Sequence, residues 1–148
     1  MNTWINIPKS NDDYLGFVYI IENLSKINEE GIPKSYIGQK KFWFKKTLPP
    51  LKGKTRKRRK LVPSDWETYT GSSESLNADI KAGDIISKRI LYLCETKWEM
   101  NYLEALEQFK RQVLLCSNSY NGIINIRLGN CPESKKEKYK LLTENILN

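Results

Sequence analysis

The 148-residue chain contains no histidine and only three cysteines, at positions 94, 116 and 131. The cysteines show no CxxC spacing, so the sequence indicates neither a zinc site nor a disulfide framework. A reducing cytoplasm is the expected location for such a protein. No run of 18 apolar residues is present, which argues against a transmembrane helix, and residues 1–13 lack the apolar core of a signal peptide.

Acidic residues are missing from one segment, residues 40–60, which contains eleven lysines and arginines. This segment accounts for the whole net charge of +8. Clustered cations repel one another and favour a polyanion, so we expect nucleic acid, whose phosphates release counterions when they are neutralised. A solvated basic loop or a localisation signal is the alternative interpretation. The predicted nucleic-acid-binding residues are Lys40, Lys41, Lys45, Lys52, Lys54, Arg56, Lys57, Arg58, Arg59 and Lys60.

The first half of the chain predicts a β-hairpin. Residues 16–21 (GFVYII) are β-branched and aromatic, as in a buried strand, and residues 35–38 (SYIG) predict a second, shorter strand. Residues 23–34, rich in Asn, Ser, Gly and Pro, predict the wide turn between them. Beyond the hairpin, residues 40–46 are expected to form one or two helical turns, followed by a basic loop that extends to Pro63.

The second half predicts one further strand among helices. Residues 87–95 (SKRILYLCE) alternate as a strand, with Ile90, Tyr92 and Cys94 on one face and Leu91 on the other. The remaining expected elements are a short helical start at 64–67, a helix at 74–81 that Ser72 or Ser73 caps and Gly83 ends, and a peripheral polar helix at 133–147.

The clearest helix prediction is residues 97–116, where apolar residues recur every three or four positions. At about 100° per residue, Glu104 falls nearly opposite this apolar stripe, so its carboxylate is expected to be solvated. Glu107 falls closer to the stripe, at the edge of a buried face, where a carboxylate can point into a cleft. The stripe consists of Trp98, Tyr102, Leu106, Phe109 and Val113.

The motifs FVYIIEN (17–23) and YIG (36–38) together resemble the paired tripeptides of the GIY-YIG nucleases. The likeness continues in chain order, with RILYLCE as the family's third strand, LEQF as its glutamate-bearing helix and YN as its asparagine motif. KKFW and SDWETYTGSS resemble a phage-borne branch. The resemblance, over about residues 16–125, implies an α/β domain of the α+β type, with a small, mainly antiparallel three-stranded sheet flanked by helices.

The same resemblance implies one-metal hydrolysis of a phosphodiester. Tyr19, at the GIY tyrosine, would help to activate water, a role that imidazole cannot fill because histidine is absent. Tyr36 would hydrogen-bond the attacking water or the scissile phosphate, and Glu107 would hold Mg²⁺ or Mn²⁺. Asn121 would tie its turn to the helix and orient the site.

Two positions depart from the family pattern. The family has an arginine about eight residues after the YIG glycine, where this chain has Lys46, and lysine lacks the planar fork that grips phosphate. Either Lys46 suffices, or Arg56, Arg58 or Arg59 folds back to help, or catalysis is weakened. The family's histidine is also absent, and Tyr69 is the expected replacement.

We therefore expect one domain over residues 1–148, with a core at 16–125, a basic loop at 40–60 and a peripheral helix at 133–147. The expected function is a phage-encoded, divalent-metal-dependent DNA endonuclease, of a homing or DNA-degrading type, that acts on duplex DNA. A homodimer would pair two active sites across the duplex. Two alternatives stay open: a DNA-binding repressor on a decayed nuclease scaffold, and an RNA-binding basic protein unrelated to nucleases.

Overall fold

The computed structural model of the chain describes residues 3–148, so Met1 and Asn2, where the expected domain begins, lie outside the described residues. The strands are β1 Trp4–Ile5, β2 Gly16–Ile27, β3 Pro33–Lys41, β4 Trp43–Leu48, β5 Arg58–Pro63 and β6 Ile86–Cys94. The helices are α1 Glu74–Lys81, α2 Lys97–Lys110 and α3 Lys136–Leu147, the last preceded by a 3₁₀ turn at Glu133–Lys135. Within residues 3–148, no helix is long and apolar enough to span a membrane.

Four strands form a mixed sheet in the order β1-β6-β2-β3, and β4 and β5 form a separate two-stranded sheet. β2 is antiparallel to both of its neighbours, as the sequence predicts, whereas β1 runs parallel to β6. The expected sheet of three strands is therefore too small by one. The added strand is only two residues long, and Trp4 holds it through edge-to-face contacts with Phe17 and Tyr19.

β2 is buried on both faces of the sheet, because successive side chains of a strand point to opposite sides. Phe17, Tyr19 and Ile21 face an aromatic layer that includes Phe42 and Trp66. Val18 and Ile20 face the other side, where α2 supplies Met100 and Leu103. β3 is the edge strand, so groups from both layers can reach its outer side.

The segment 40–48 is extended, and the prediction of helical turns at 40–46 is wrong. Three consecutive aromatic residues at 42–44 favour strand over helix. Phe42 is fully buried, and the Trp43 Nε1 group donates to the carbonyl oxygen of Tyr14 (3.1 Å). Within the basic segment, residues 43–48 and 58–60 therefore lie in a two-stranded ribbon, and the expected loop is confined to residues 49–57, which connect its strands.

The hairpin of β2 and β3 is confirmed, but its turn is shorter than the predicted 23–34. Both strands continue past the predicted ends, to Ile27 and from Pro33. Asn28 closes the turn, since its Oδ1 accepts hydrogen bonds from the backbone N–H groups of Glu30 and Ile32. An asparagine side chain that mimics a backbone turn makes the wide loop unnecessary.

Helix α1 has the predicted bounds, and the Ser73 Oγ accepts from the Leu76 N–H as its N-cap. The predicted helical start at 64–67 is a turn instead, in which Thr68 N–H donates to the Asp65 carbonyl. β6 is the predicted third strand, but a bulge opposite Tyr19 interrupts its alternation. Ile90 consequently joins the aromatic layer, while Tyr92 and Cys94 pack on the α2 side.

Helix α2 turns its predicted apolar stripe away from the sheet. Trp98 and Tyr102 pack against Tyr139 of α3, and Phe109 is 63% exposed. The helix also ends at Lys110 rather than at Cys116. The face that meets the sheet contains Met100, Leu103 and Glu107, with Gln108 beside them, whereas the buried Glu99 is bonded to Tyr139 of α3.

Asn121 caps the outer edge of β3. Its Oδ1 accepts a hydrogen bond from the Ile37 N–H and its Nδ2 donates to the Ile37 carbonyl, both at 2.9 Å. The side-chain amide thereby takes the place of a neighbouring strand. Asn121 thus ties its turn to β3 rather than directly to the helix, although Gln108 of α2 shares the same carbonyl (3.2 Å).

Replacing Asn121 with alanine should lower the free energy of unfolding by about 2–4 kcal/mol, because a buried N–H and a buried C=O both lose a partner. Urea denaturation measures this loss. Asn118→Ala is the matched control, since its side chain makes a single, exposed contact with the Ile32 carbonyl. Equal losses in the two variants would contradict the edge-capping role.

Candidate active site

Three tyrosines meet at the outer edge of the sheet. Tyr19 comes from β2, Tyr36 from β3 and Tyr69 from the turn that follows β5. The ring centroid of Tyr19 lies 6.2 Å from that of Tyr36 and 6.3 Å from that of Tyr69. The Tyr36 hydroxyl is hydrogen-bonded to Ser72 Oγ at 2.9 Å. The structure therefore brings together all three tyrosines that the sequence nominated.

Two glycines leave the space that these rings fill. Gly38 lies directly opposite Tyr19 in the hairpin, and a Cβ there would come within 2.4 Å of the Tyr19 Oη atom. A Cβ at Gly71 would lie 3.2 Å from the Tyr36 ring, and φ at that residue is +85°. The glycine of the YIG motif thus admits the Tyr19 side chain across the edge strand.

Tyr19 is a neutral phenol at neutral pH. Burial raises the pKa of its hydroxyl well above the usual range, and the neighbouring hydroxyls of Tyr36 and Tyr69 add to that effect. The charge of the Glu104 carboxylate raises the same pKa further. A neutral phenol can donate one hydrogen bond and accept another, so Tyr19 can orient a water molecule or pass on its proton.

Glu104 reaches this edge from the α2 side of the sheet. Its Oε1 accepts from Gln108 Nε2 (3.2 Å), whereas its Oε2 is buried with no hydrogen-bond partner in the described part of the chain. Burial raises the pKa of the Glu104 carboxyl, opposed by the amides of Gln39 and Gln108 and by the Lys97 ammonium. A cavity of about 10 Å³ lies beside it, about the least volume that holds one water. The prediction that Glu104 is solvated is wrong.

Glu107 lies on the same helix with both carboxylate oxygens engaged. Its Oε1 accepts from the Tyr92 hydroxyl (2.6 Å) and its Oε2 from Arg111 Nε (2.7 Å). The Glu107 side chain is nearly fully buried. Burial raises the pKa of the Tyr92 hydroxyl, and the hydrogen bond and charge of Glu107 raise it further. These contacts join α2 to β6, so Glu107 has a structural role in this arrangement.

A cation is present at the tyrosines, and it is Lys40. Its Nζ lies 4.0 Å from the ring centroid of Tyr69 and 4.8 Å from that of Phe44. The same ammonium pairs with Asp65 Oδ1 at 2.7 Å, and its side chain is only 12% exposed. Lys40, predicted solely as a nucleic-acid contact, thus provides positive charge next to the site.

The other predicted basic residues lie in the ribbon or near it. Lys46 of β4 is directly opposite Lys60 of β5. The proposed fold-back of an arginine is not seen among residues 3–148: Arg58 Nε donates to the Pro49 carbonyl, and Arg56 and Arg59 line a cleft at the ribbon. Lys41 ends β3, Lys45 lies in β4, and Lys52, Lys54 and Lys57 lie in the connection.

Lys88, which the sequence did not single out, holds the segment that carries Tyr69. It is buried in β6, and its Nζ donates to the carbonyls of Glu67 (3.2 Å) and Tyr69 (2.8 Å). The ammonium also lies 4.3 Å from the Trp4 ring centroid. Burial lowers the pKa of Lys88 to about 8.

The chain matches the family described as "Putative endonuclease segE, GIY-YIG domain" over residues 4–124. It belongs to this GIY-YIG family. No curated protein and no solved structure matches the chain in the corresponding searches. The resemblance on the two tyrosine motifs is thereby confirmed, and the α+β architecture is consistent with the GIY-YIG domain.

A divalent cation at this site would need side chains that can bind it. Within residues 3–148, no group of three or more acidic, cysteine or histidine side chains is clustered as a metal cage. Mg²⁺ does not require one, because it binds through one or two carboxylates and keeps several waters. The buried, partnerless Oε2 of Glu104 fits such a ligand, whereas the engaged oxygens of Glu107 do not.

Glu104 could have been found from the sequence by asking which face of α2 meets the sheet. The aromatic stripe and Glu104 are nearly opposite, as predicted, but the stripe faces α3 and solvent. Helix α2 packs against the sheet on one side and against α3 on the other. When the largest apolar residues are on the side away from the sheet, the apolar pattern does not tell which face meets the sheet. Neither Lys40 nor Lys88 carries a local signal beyond its charge.

Substituting Gly38 with alanine should lower the free energy of unfolding by about 1–3 kcal/mol, because the added methyl group forces Tyr19 out of its position. Gly129→Ala is the control, since a Cβ there meets no described atom within 4 Å. Urea denaturation of the two variants compares them. A Gly38 variant as stable as the wild type would mean that the Tyr19 ring does not lie across the edge strand.

Stability should rise with pH in a way that depends on Lys88. The folded protein loses this proton near pH 8, whereas the unfolded chain keeps it to about pH 10.4. Between these values the unfolded state binds more protons, so the free energy of unfolding increases with pH. Relative to Lys88→Met, wild-type protein should gain at most about 1.4 kcal/mol per pH unit in urea denaturation. Parallel pH curves would contradict a buried, charged Lys88.

Proposed function

We propose that this GIY-YIG protein is a divalent-metal-dependent endonuclease that hydrolyses phosphodiester bonds in DNA, with Glu104 as the metal ligand. The observation that carries the proposal is the buried Oε2 of Glu104, partnerless among residues 3–148, beside a small cavity that is also lined by Gln39, the residue after Gly38 in β3. A desolvated carboxylate oxygen without a donor is costly unless a cation completes it.

The tyrosines would orient the reacting groups. Tyr19 accepts a hydrogen bond from the attacking water and so orients it. Tyr36, already fixed by Ser72, is placed to donate to a phosphate oxygen. A bound Mg²⁺ or Mn²⁺ would supply positive charge that stabilises the phosphoryl oxygens and favours loss of a proton from water.

Lys40 would supply the positive charge that the family pattern provides with an arginine at the position of Lys46. Its ammonium is held between Tyr69 and Asp65, so it can turn to a phosphate without a large loss of side-chain freedom. Lysine acts here as a point charge rather than a bidentate fork. The Tyr69 ring contacts both the Lys40 ammonium and the Tyr19 ring, so it would hold these two groups in position.

DNA is the substrate because the acid-free segment adjoins this site. The Lys40 ammonium contacts both Phe44 of β4 and Tyr69, so the first residues of the basic ribbon lie beside the tyrosines. The weakened-nuclease alternative, a DNA-binding repressor, draws on the same charges. It differs in requiring no metal and no Glu104.

The test is cleavage of supercoiled plasmid by the pure protein, with Mg²⁺ or with EDTA. Wild-type protein should produce nicked or linear DNA only with the metal. Glu104→Gln should reduce the rate at least about tenfold, since even residues that only support metal ligands cost this much. Glu107→Gln is the matched control on the same helix: it should be less stable in urea but should still cleave.

The variants separate the possible assignments. Loss of cleavage in a folded Glu107→Gln protein, with an active Glu104→Gln protein, would return the metal site to Glu107 and overturn this proposal. A shifted plasmid that is released at high salt and never cut, with or without Mg²⁺, would identify a binding protein on this fold.

A further inference from the structure

We propose that the β4–β5 ribbon lies in the major groove of duplex DNA, with one defined face turned to the bases and phosphates next to the cut. The ribbon comprises Trp43–Leu48 and Arg58–Pro63, joined by residues 49–57. This inference rests on the proposed function, which takes DNA as the substrate. It adds the form of the DNA, the groove and the side chains that contact it.

The strand register divides the ribbon into two faces. Residues directly opposite one another in an antiparallel pair share a face, and neighbours along a strand alternate. Face A contains the pairs Phe44↔Val62, Lys46↔Lys60 and Leu48↔Arg58; face B contains Trp43↔Pro63, Lys45↔Leu61 and Thr47↔Arg59.

Face A continues the surface of the active site. Phe44 lies on it, and the Lys40 ammonium that contacts Phe44 also covers Tyr69. Lys40 itself shares a sheet face with Gly38 and Tyr36, two and four residues earlier in β3. A DNA backbone seated at the tyrosines therefore passes onto Phe44, then Lys46 and Lys60, then Arg58.

The positive charges on face A favour the binding of a polyanion. Lys46 and Lys60 face each other directly, a like-charge pair that destabilises an isolated ribbon. No acidic residue occurs at 40–60 to offset them. Lys45 on face B is instead opposite the apolar Leu61.

The base of the ribbon is fixed, so the direction of face A is fixed as well. Ser64 Oγ donates to the Lys41 carbonyl (2.6 Å), and Ser64 N–H donates to the Phe42 carbonyl (2.8 Å). Phe42 is buried against Trp66, with ring centroids 5.1 Å apart. The ribbon thus projects from a rigid base, with its exposed tip free to enter a groove.

The dimensions favour the major groove. The major groove of B-DNA, about 12 Å wide, admits a two-stranded ribbon, whereas the minor groove, about 6 Å wide, must be widened to admit one. Six residues of β4 span about 20 Å at roughly 3.4 Å per residue. With a rise of about 3.4 Å per base pair, the contacts should extend about six base pairs from the cut.

The experiment measures binding of full-length protein to fluorescent 30-base-pair duplexes in EDTA, by anisotropy. One duplex carries a bulky 5-substituent on its pyrimidines, which fills the major groove; another carries an N2-alkyl group on its guanines, which fills the minor groove. Relative to plain duplex, the first should bind at least tenfold more weakly and the second within twofold. Equal weakening by the two blocks, or a larger effect in the minor groove, would overturn the proposal.

Adjacent lysines provide the test of the face. Lys60→Ala removes a face A charge and should weaken binding to plain duplex threefold to tenfold. The sequence predicts Lys45 as a nucleic-acid contact as well, but its position on face B removes it from the DNA-contacting set, so Lys45→Ala should change binding less than twofold. Lys140→Ala in α3 serves as the distant control of equal charge. A Lys45 effect as large as that of Lys60 would overturn the assignment of face A.

The two proposals fail in different ways. A plasmid that is cut in a Glu104-dependent manner while both groove blocks act equally would remove only the ribbon inference. Wild-type protein that neither cuts plasmid nor binds plain duplex in low salt would remove the proposed function, and the ribbon inference with it.

Discussion

The open edge of β3 is the constraint on which the rest of the site depends. An edge strand leaves backbone N–H and C=O groups without a neighbouring strand, and these groups are costly when buried. Asn121 satisfies both groups of Ile37, and the backbone of residues 118 and 120 pairs with Ser35. The next residue, Gly38, has no Cβ, so it is here that Tyr19 can extend across the strand.

Only an edge strand allows the two layers of this protein to share one site. The aromatic side supplies the tyrosine hydroxyls and the Lys40 ammonium, whereas the helical side supplies the carboxyl group of Glu104. A central strand such as β2 would keep these groups apart. Tyr19 stays protonated because it is buried among other tyrosines, and the charge of the Glu104 carboxylate opposes its ionisation further. A cation between the layers would act on Glu104 and Tyr19 together.

Features coded by neighbouring residues could be predicted from the sequence, and features set by packing could not. The hairpin, the Ser73 cap of α1 and the meeting of Tyr19, Tyr36 and Tyr69 follow from local patterns and family motifs. The choice between Glu104 and Glu107 depends on which side of α2 meets the sheet, and its aromatic stripe packs on α3 instead. The short strand β1 has almost no local signal, because its position depends on long-range contacts: the packing of Trp4 on Phe17, its hydrogen bond to the Trp66 carbonyl and the pairing with β6.

The basic ribbon shows why charge alone misleads about structure. Eleven cations without an acid predict a basic loop, since nothing within the segment offsets their repulsion. What orders the strands lies at their base, where Trp43 and Ser64 bond to backbone carbonyls outside the ribbon and Phe42 is buried. The repulsion between Lys46 and Lys60 then remains in the folded state rather than preventing it. Neutralising that pair with phosphate would stabilise the ribbon further, so substrate binding and local folding favour each other.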